Sequence, residues 1–355
     1  MINKLTCLRK QIDAVDKDII TLLERRLSLV REVARIKNNE VNIPLTDLNR
    51  EDEIIHSLQK QTHDMALQDA ITDVYKVLFA MSKSIRHMET EVDCPFTHVG
   101  IIGDGLIGRS IAKAIKSKKD ARVKVTIHNR EWKIEHYATC DLIIIATPIE
   151  TVVHIATELA KHRMVLQSGV VIIDVASVKK PIAQAFAKLD SIQSKNAPVF
   201  VPTHPMGGGQ EQGSSYARAT LFAGRPWLIT PTANTPENII SKISKFVAYC
   251  GSRPIIVGAE QHDKLVTYVS HFPGILSQLL LDFVSYQEQE SLRFAGSGFE
   301  MMTRIGKSNN IRMRSQIAQS NAHNIREVFD AFIHYIHQQD LELWKTSKSQ
   351  YLNKQ

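Results

Sequence analysis

Cysteine is scarce and scattered in this 355-residue chain, with only Cys7, Cys94, Cys140 and Cys250. No pair among them has the spacing of a metal site or a redox motif, so no metal is expected and a reducing compartment is the natural setting. Long apolar runs are also lacking. None approaches the eighteen or so residues of a membrane span, and the charged start of the chain has no signal-peptide core, so the expected location is the cytoplasm, away from any membrane. Repeats and low-complexity tracts are absent, which argues against a solenoid or a disordered tail protein.

What is present suits a multidomain globular protein. At 43% hydrophobic residues the chain can bury two or three cores. Its net charge of +7 raises the question of nucleic acid. Residues 1–94 hold 14 Lys/Arg against 16 Asp/Glu, or −2, leaving 30 against 21, or +9, for the rest. The cations of the first module are therefore placed singly, and small anionic metabolites explain the remaining surplus without a polynucleotide.

The first forty residues read as one long helix. Leu5, Leu8, Ile12, Val15, Ile19, Leu22, Leu29, Val33 and Ile36 recur at three- and four-residue steps, the spacing of a packed stripe. Arg26 stands where the seam expects an aliphatic side chain. Lys37 lies about 20° around and roughly 16 Å along, so both can enter one groove, whereas Arg9 is about 25 Å back from Arg26. A single Arg on a helix is more often an amphipathic stem with its head in water. If all three bind ligand, the protein is a dimer in which Arg9 of one chain completes the pocket of the other. Asp47, Arg50 and Glu51 follow Pro44 at the start of a second helix, and Ser82 and Arg86 lie one turn apart on a third, from about Leu67 to Met88.

Over about the first ninety residues, Leu8-Arg9, Ile12-Asp13, Asp16, Leu22-Leu23, Arg26, Lys37, Pro44 and Arg50-Glu51 resemble the all-helical chorismate mutase family. The resemblance implies that Arg9, Arg26, Lys37 and Arg50 bind the carboxylates and ether oxygen of chorismate, and that Asp47, Glu51 and Ser82 orient it. Arg86 stands where the family usually has Gln or Glu. These residue types suit a Claisen rearrangement, which needs only a compact conformer of the dianion and donors where charge grows on the ether oxygen. Guanidinium forks bind carboxylates bidentately and stay charged when partly buried.

Near residues 91–96 the pattern changes from helical to strand-like. A strand from His98 to Ile102 runs into Gly103-Asp104-Gly105-Leu106-Ile107-Gly108 and then a helix to about Lys118. Strand before and helix after make this GxGxxG a dinucleotide fingerprint. The second strand, Arg122 to Ile127, ends in His128-Asn129-Arg130 rather than in the acid that commonly takes the ribose of NAD. Arg130 can hold the 2′-phosphate of NADP or simply be solvated, so NAD and NADP both stand, with a lean to NADP. Asn129, Arg130 and Thr147 join the six fingerprint residues as expected cofactor contacts.

Strands from Asp141 to Ala146, Val170 to Asp174 and Pro198 to Val201 alternate with helices. Ser177 and His204 sit just past strand ends, where ligands of doubly wound sheets gather. These segments, with Gly224-Arg225-Pro226-Trp227, Glu260-Gln261-His262-Asp263, Ser270-His271-Phe272-Pro273, Gly298-Phe299 and Thr303-Arg304-Ile305, resemble the prephenate dehydrogenase family across roughly residues 97–355. The whole chain thus resembles the bifunctional chorismate mutase/prephenate dehydrogenases of tyrosine biosynthesis. The implied architecture is multidomain: an all-α three-helix module at 1–92, a Rossmann-type α/β domain at 97–258, and a mostly helical dimerisation and substrate-binding domain at 259–355.

By that resemblance His204 accepts the proton of the 4-hydroxyl of prephenate as hydride leaves C4, Ser177 orients His204, and Arg304 binds the ring carboxylate. Ser270 matches a substrate position, although Ser270 and His262 also suit capping and packing. Tyrosine is a candidate feedback inhibitor. Gly274 replaces a second active-site His of many relatives, Gln210 an acid, and Met301 an Asp, which leaves arogenate as a rival substrate. A NADP-sensing regulator without catalysis is a further alternative. A β-hydroxyacid dehydrogenase would share the fingerprint and not explain the first module. Leu276, Leu279, Leu280, Phe283, Ile325, Val328, Phe332 and Ile336 recur at helical spacing, with Phe329, Phe332 and Tyr335 expected in a core.

Overall fold

The computed structural model describes residues 2–39, 48–89, 92–190, 197–208, 211–308 and 311–338. Three helices come first, α1 (Ile2–Asn39), α2 (Leu48–Gln59) and α3 (Met65–Met88). Asp64 starts α3 by accepting the backbone N–H groups of Ala66 and Leu67 on its side chain, which satisfies donors that have no partner within the helix. Both α1 and α2 pack on α3. The α1 seam differs from its expectation, for Leu5, Leu8, Ile12, Val15, Ile19, Leu22, Leu29, Val33 and Ile36 are all exposed. Length accounts for the first half of the stripe. At 38 residues α1 runs about 57 Å, whereas α3, at 24, covers about 36 Å, so a single chain offers nothing to pack on its first half.

The α/β domain follows as β1 (His98–Ile102), α4 (Leu106–Ser117), β2 (Lys124–His128), β3 (Leu142–Ile145), α5 (Ile149–Lys161), β4 (Val171–Asp174), α6 (Lys180–Asp190) and β5 (Val199–Val201). All neighbours pair in parallel, in the order β2-β1-β3-β4-β5. β1, β3 and β4 are buried along their whole length. Their unbroken apolar runs therefore serve two cores, one on each face of the sheet. The strand order reverses between β1 and β3, which opens a crevice at the carboxyl ends.

At Pro202 the chain leaves this sheet for a second one. β6 (Thr203–Pro205) pairs antiparallel with β7 (Pro226–Ile229), which pairs parallel with β8 (Arg253–Ile256) and is backed by α7 (Glu237–Tyr249). His204 thus sits within a short strand, not in a loop. Thr203 ties the two sheets: its N–H donates to Asp174 Oδ1 at 3.0 Å and its hydroxyl oxygen accepts Trp227 Nε1–H at 3.0 Å.

The C-terminal part is helical, with α8 (Ala259–Val266), a π-helical turn at Thr267–His271, α9 (Phe272–Gln287), α10 (Ser297–Thr303), α11 (Ile311–Ser320) and α12 (Ala322–Gln338). Phe272 meets Phe329 and Phe332 edge to face at 4.9 and 5.0 Å. Tyr335, expected beside them, is exposed instead, one turn beyond the end of that cluster. The first module joins the second through Met88, the last residue of α3, which enters the α/β core against the Gly251 turn. Among the described residues no helix is long and apolar enough to cross a membrane.

Candidate active sites

The turn after β1 is shaped by its glycines. Gly103 has φ +114°, and a Cβ there would lie 2.3 Å from the Ala146 carbonyl oxygen. A Cβ on Gly108 would lie 2.0 Å from the Gly103 oxygen, whereas one on Gly105 would meet nothing within 4 Å. The outer glycines are thus demanded by packing, and the middle one leaves a bare floor. α4 starts above it without a side-chain cap, so its N–H groups are available to an anion. Asp104 does not oppose that anion freely: Arg109 holds its carboxylate, with Nε donating to Oδ1 at 2.6 Å. Thr147 Oγ1 lines the same crevice, buried and without a hydrogen-bond partner. A bare helix end, a backbone cradle and an orphaned hydroxyl fit a dinucleotide. Asn129 and Arg130 lie exposed just past β2.

From this floor a cavity of about 730 Å³ runs to Ser177, His204 and Ser270, with Arg225 on one wall and Arg312 and Gln316 of α11 on another. His204 is 7% exposed. Its Nδ1 is 3.0 Å from His262 Nε2, and His262 Nδ1 is 2.8 Å from Asp263 Oδ1. Asp263 also accepts the backbone N–H of Lys179 at 2.7 Å and of Lys180 at 2.8 Å. Lys179 is wholly buried, its Nζ 2.5 Å from Asp174 Oδ2 and 2.7 Å from the Thr203 carbonyl. Burial holds the His204 imidazole well below its usual pKa, with His262, Lys179 and His271 adding to the effect. His271 is likewise pushed down, to about 4, chiefly by burial. The floor of the cavity therefore offers a neutral imidazole near pH 7.

A second cluster forms in the three-helix module. Arg26 Nη1 donates to Ser82 Oγ at 2.7 Å, and the Ser82 hydroxyl donates to the Leu78 carbonyl, also at 2.7 Å. Glu51 pairs with Lys83 at 3.0 Å. Arg86 is half-buried, and desolvation lowers its pKa against the opposing pull of Glu51. A guanidinium on α1 and another on α3 thus share a partly desolvated groove.

Three family models match in succession: chorismate mutase type II over residues 8–87, the prephenate dehydrogenase nucleotide-binding domain over 103–256, and the prephenate dehydrogenase dimerization domain over 258–353. The chain belongs to the fused chorismate mutase/prephenate dehydrogenase family. It is a bifunctional enzyme of tyrosine biosynthesis, with a nicotinamide-binding Rossmann domain at its centre. A chorismate mutase of Methanocaldococcus jannaschii is 33% identical over 92 residues, 26% of this chain and 92% of that protein. A cyclohexadienyl dehydrogenase of Zymomonas mobilis is 28% identical over 260 residues, 67% of this chain and 85% of its own length. In fold, the chain resembles prephenate dehydrogenase from A. aeolicus, solved with hydroxyphenyl propionate and NAD+, at a TM-score of 0.59 and 23% identity over 68% of this chain and 88% of that one.

Within the mutase module, Arg26, Ser82, Arg86 and Glu51 converge, and Lys37 is partly buried on the same helix as Arg26. Arg50 points to the outside, bonded to Glu53 at 3.1 Å. Arg9 is exposed on the free half of α1. Asp47 lies outside the described residues, as does Gln210. Within the dehydrogenase, Ser177, His204, Ser270, Thr147, Gly105, Leu106 and Ile107 line one cavity. Arg304 caps α10 and is exposed, while its neighbour Ile305 lines the cavity. Gly274 is buried on α9, and Met301 is exposed on α10.

Sequence reasoning missed Lys83, Lys179, Asp263, Arg225 and Arg312 as members of these sites. Arg312 reaches the cavity through an ion pair with Glu150 of α5. The Glu-Gln-His-Asp motif carried a signal for Asp263 and the Gly-Arg-Pro-Trp motif one for Arg225. Lys83 and Arg312 are ordinary cations whose partners lie tens of residues away, and the buried Lys179 meets Asp174 five positions back.

Proposed function

We propose that the three-helix module rearranges chorismate to prephenate, and that the cavity around His204 oxidises prephenate to 4-hydroxyphenylpyruvate and carbon dioxide. In the first reaction Arg26 and Lys37 bind the substrate dianion, Ser82 and Glu51 orient it, and Arg86 faces the growing charge on the ether oxygen. Arg9 of a second copy of the chain closes the pocket, and Arg50 and Asp47 complete it. The exposed α1 seam supports this pairing, since a stripe of that length is costly to leave in water. The enzyme is then a cytoplasmic homodimer, with its C-terminal domain as a further contact between copies.

In the second reaction His204 takes the proton of the 4-hydroxyl, and Ser177 and Ser270 hold that hydroxyl against it. The fingerprint glycines and the start of α4 would hold the nicotinamide cofactor, which would supply the hydride acceptor for C4. Arg304, one residue from the cavity wall, holds the ring carboxylate. As the bond from the ring to that carboxylate breaks, its electron pair completes the aromatic ring and the phenol oxygen recovers the proton from His204. The resulting phenol is strongly favoured. Asn129 and Arg130 favour NADP over NAD through the 2′-phosphate. Tyrosine, which resembles the product, is the proposed feedback ligand.

The observation that carries this reading is His204, the one imidazole on the cavity wall among the described residues, facing a glycine-floored crevice. Adding chorismate with NAD or NADP to purified protein tests it. Loss of chorismate followed by gain of reduced cofactor, faster with NADP, is expected. Chorismate loss without cofactor reduction would leave the mutase and remove the dehydrogenase, and faster rates with NAD would reverse the cofactor assignment.

A further inference from the structure

We propose that His262 and Asp263 are positioning residues for His204, fixing the tautomer that leaves its Nε2 as a hydrogen-bond acceptor in the cavity and supplying the counter-charge when it takes a proton. The proposal rests on reading His204 as the base.

The argument starts at the buried end. An ionised carboxylate only accepts, so the hydrogen between His262 Nδ1 and Asp263 Oδ1 belongs to the imidazole. Two backbone N–H groups, one on each Asp263 oxygen, hold the carboxylate in place. A neutral His262 with its hydrogen on Nδ1 has a bare Nε2. That atom lies 3.0 Å from His204 Nδ1, so the shared hydrogen must sit on His204. His204 Nε2 is then bare, and it is the ring nitrogen left for the cavity.

A protonated His262 would reverse every bond in this chain. Its Nε2 would donate, His204 Nδ1 would accept, and His204 would present an N–H to the substrate hydroxyl, useless for accepting its proton. Burial and the Lys179 ammonium hold His262 below its ordinary pKa and exclude that state near neutral pH. His271, the third imidazole of the cluster, accepts Asn321 Nδ2–H on its Nδ1 and is also neutral.

Charge balance completes the picture. The groups around His204 are Asp174 of β4, Lys179 at the start of α6, His262 and Asp263 of α8, and His271 of the π-helical turn. With two carboxylates and one ammonium, the cluster carries one negative charge at rest. It becomes neutral when His204 holds the substrate proton. The buried cluster is therefore electrostatically suited to receive a proton that must later be returned to the phenol oxygen.

Steady-state kinetics of the full-length enzyme with prephenate, against pH, test the relay. Asp263→Asn lets an amide N–H face His262 Nδ1, which inverts both tautomers, so kcat should fall about 10²-fold or more with KM little changed. The acid limb of kcat/KM should also move to lower pH by about one unit, since His204 loses the anion that stabilises its cation. His262→Leu should lose kcat similarly. His262→Gln, whose amide can accept from His204 and donate to Asp263, should recover most of it. Mutase activity of the same preparations reports that the chain is folded. Wild-type kcat and acid limb in Asp263→Asn and His262→Leu would overturn the relay, as would equal losses in His262→Gln and His262→Leu, which would mark a merely structural role. If Asp263→Asn does not fold, the His262 pair decides. His204→Ala separates the two ideas: activity retained there removes the base itself, whereas a dead His204→Ala beside unaffected relay variants removes only the relay.

Discussion

Arg26 and His204 are each anchored by one polar neighbour, in two clusters that the proposed function assigns to different reactions. Arg26 donates to Ser82 across two helices, whereas His204 leans on a histidine from another domain layer. Because the two clusters share no side chain, their losses should separate. Arg26→Ala is expected to lower mutase turnover by about 10²-fold or more while sparing oxidation of supplied prephenate, and His204→Ala to do the reverse. Assaying each variant for both reactions checks this, and a folded variant lacking both would contradict two sites. A pH effect belongs at the same scale. His271 falls from its ordinary 6.5 to about 4 on folding, so the unfolded chain binds the extra proton between those values. Stability from this group is present above pH 6.5 and is lost as pH falls towards 4, by about 3 kcal/mol at most. Thermal melts from pH 7 to 4 should show the decline, shallower in His271→Asn.

At the scale of elements, the β1 turn was legible because glycine has so few substitutes where a Cβ would strike backbone. Gly108→Ala would set a methyl 2.0 Å from the Gly103 oxygen and push the start of α4 off the sheet. Its expected result is at least a tenfold weaker NADP affinity by titration, together with a lower melting temperature, while mutase turnover is unchanged. Unaltered affinity would mean that α4 does not present the dinucleotide. The strands β1, β3 and β4 were legible for a similar reason, since runs such as Leu142 to Ile145 suit only a sheet buried on both faces. β6 was not. Three residues interrupted by a histidine and ended by a proline carry no pattern, and Thr203–Pro205 is a strand only because β7 lies beside it. The π-helical turn that carries Ser270 and His271 was equally hidden.

Taken whole, the molecule joins its helical module to the α/β domain through α3, whose Ser82 meets Arg26 and whose Met88 enters the α/β core. Helix α1 leaves a long apolar stripe exposed. Replacing Ile12 and Ile19 by Asp should leave the single chain folded, because both are exposed in it. Mutase turnover is expected to drop more than tenfold while the C-terminal domain keeps the mass in solution at that of a dimer and prephenate oxidation continues. Light scattering with the two assays checks this, and full mutase activity would remove the shared pocket.

Read along the chain alone, the family motifs were enough to name both modules, and glycine sterics and strand ends, being local properties, were enough to find the nucleotide cradle and to set Ser177 and His204 beside it. Tertiary structure alone decided that Lys83 meets Glu51, that Arg312 rather than Arg304 lines the cavity of the single chain, and that Asp174, Lys179, His262 and Asp263 surround His204. Lys179 meets Asp174 5 positions away and Asp263 84 positions away, His204 meets His262 58 positions away, and each pairing depends on desolvation and hydrogen-bond geometry. Neither quantity exists until the chain has folded.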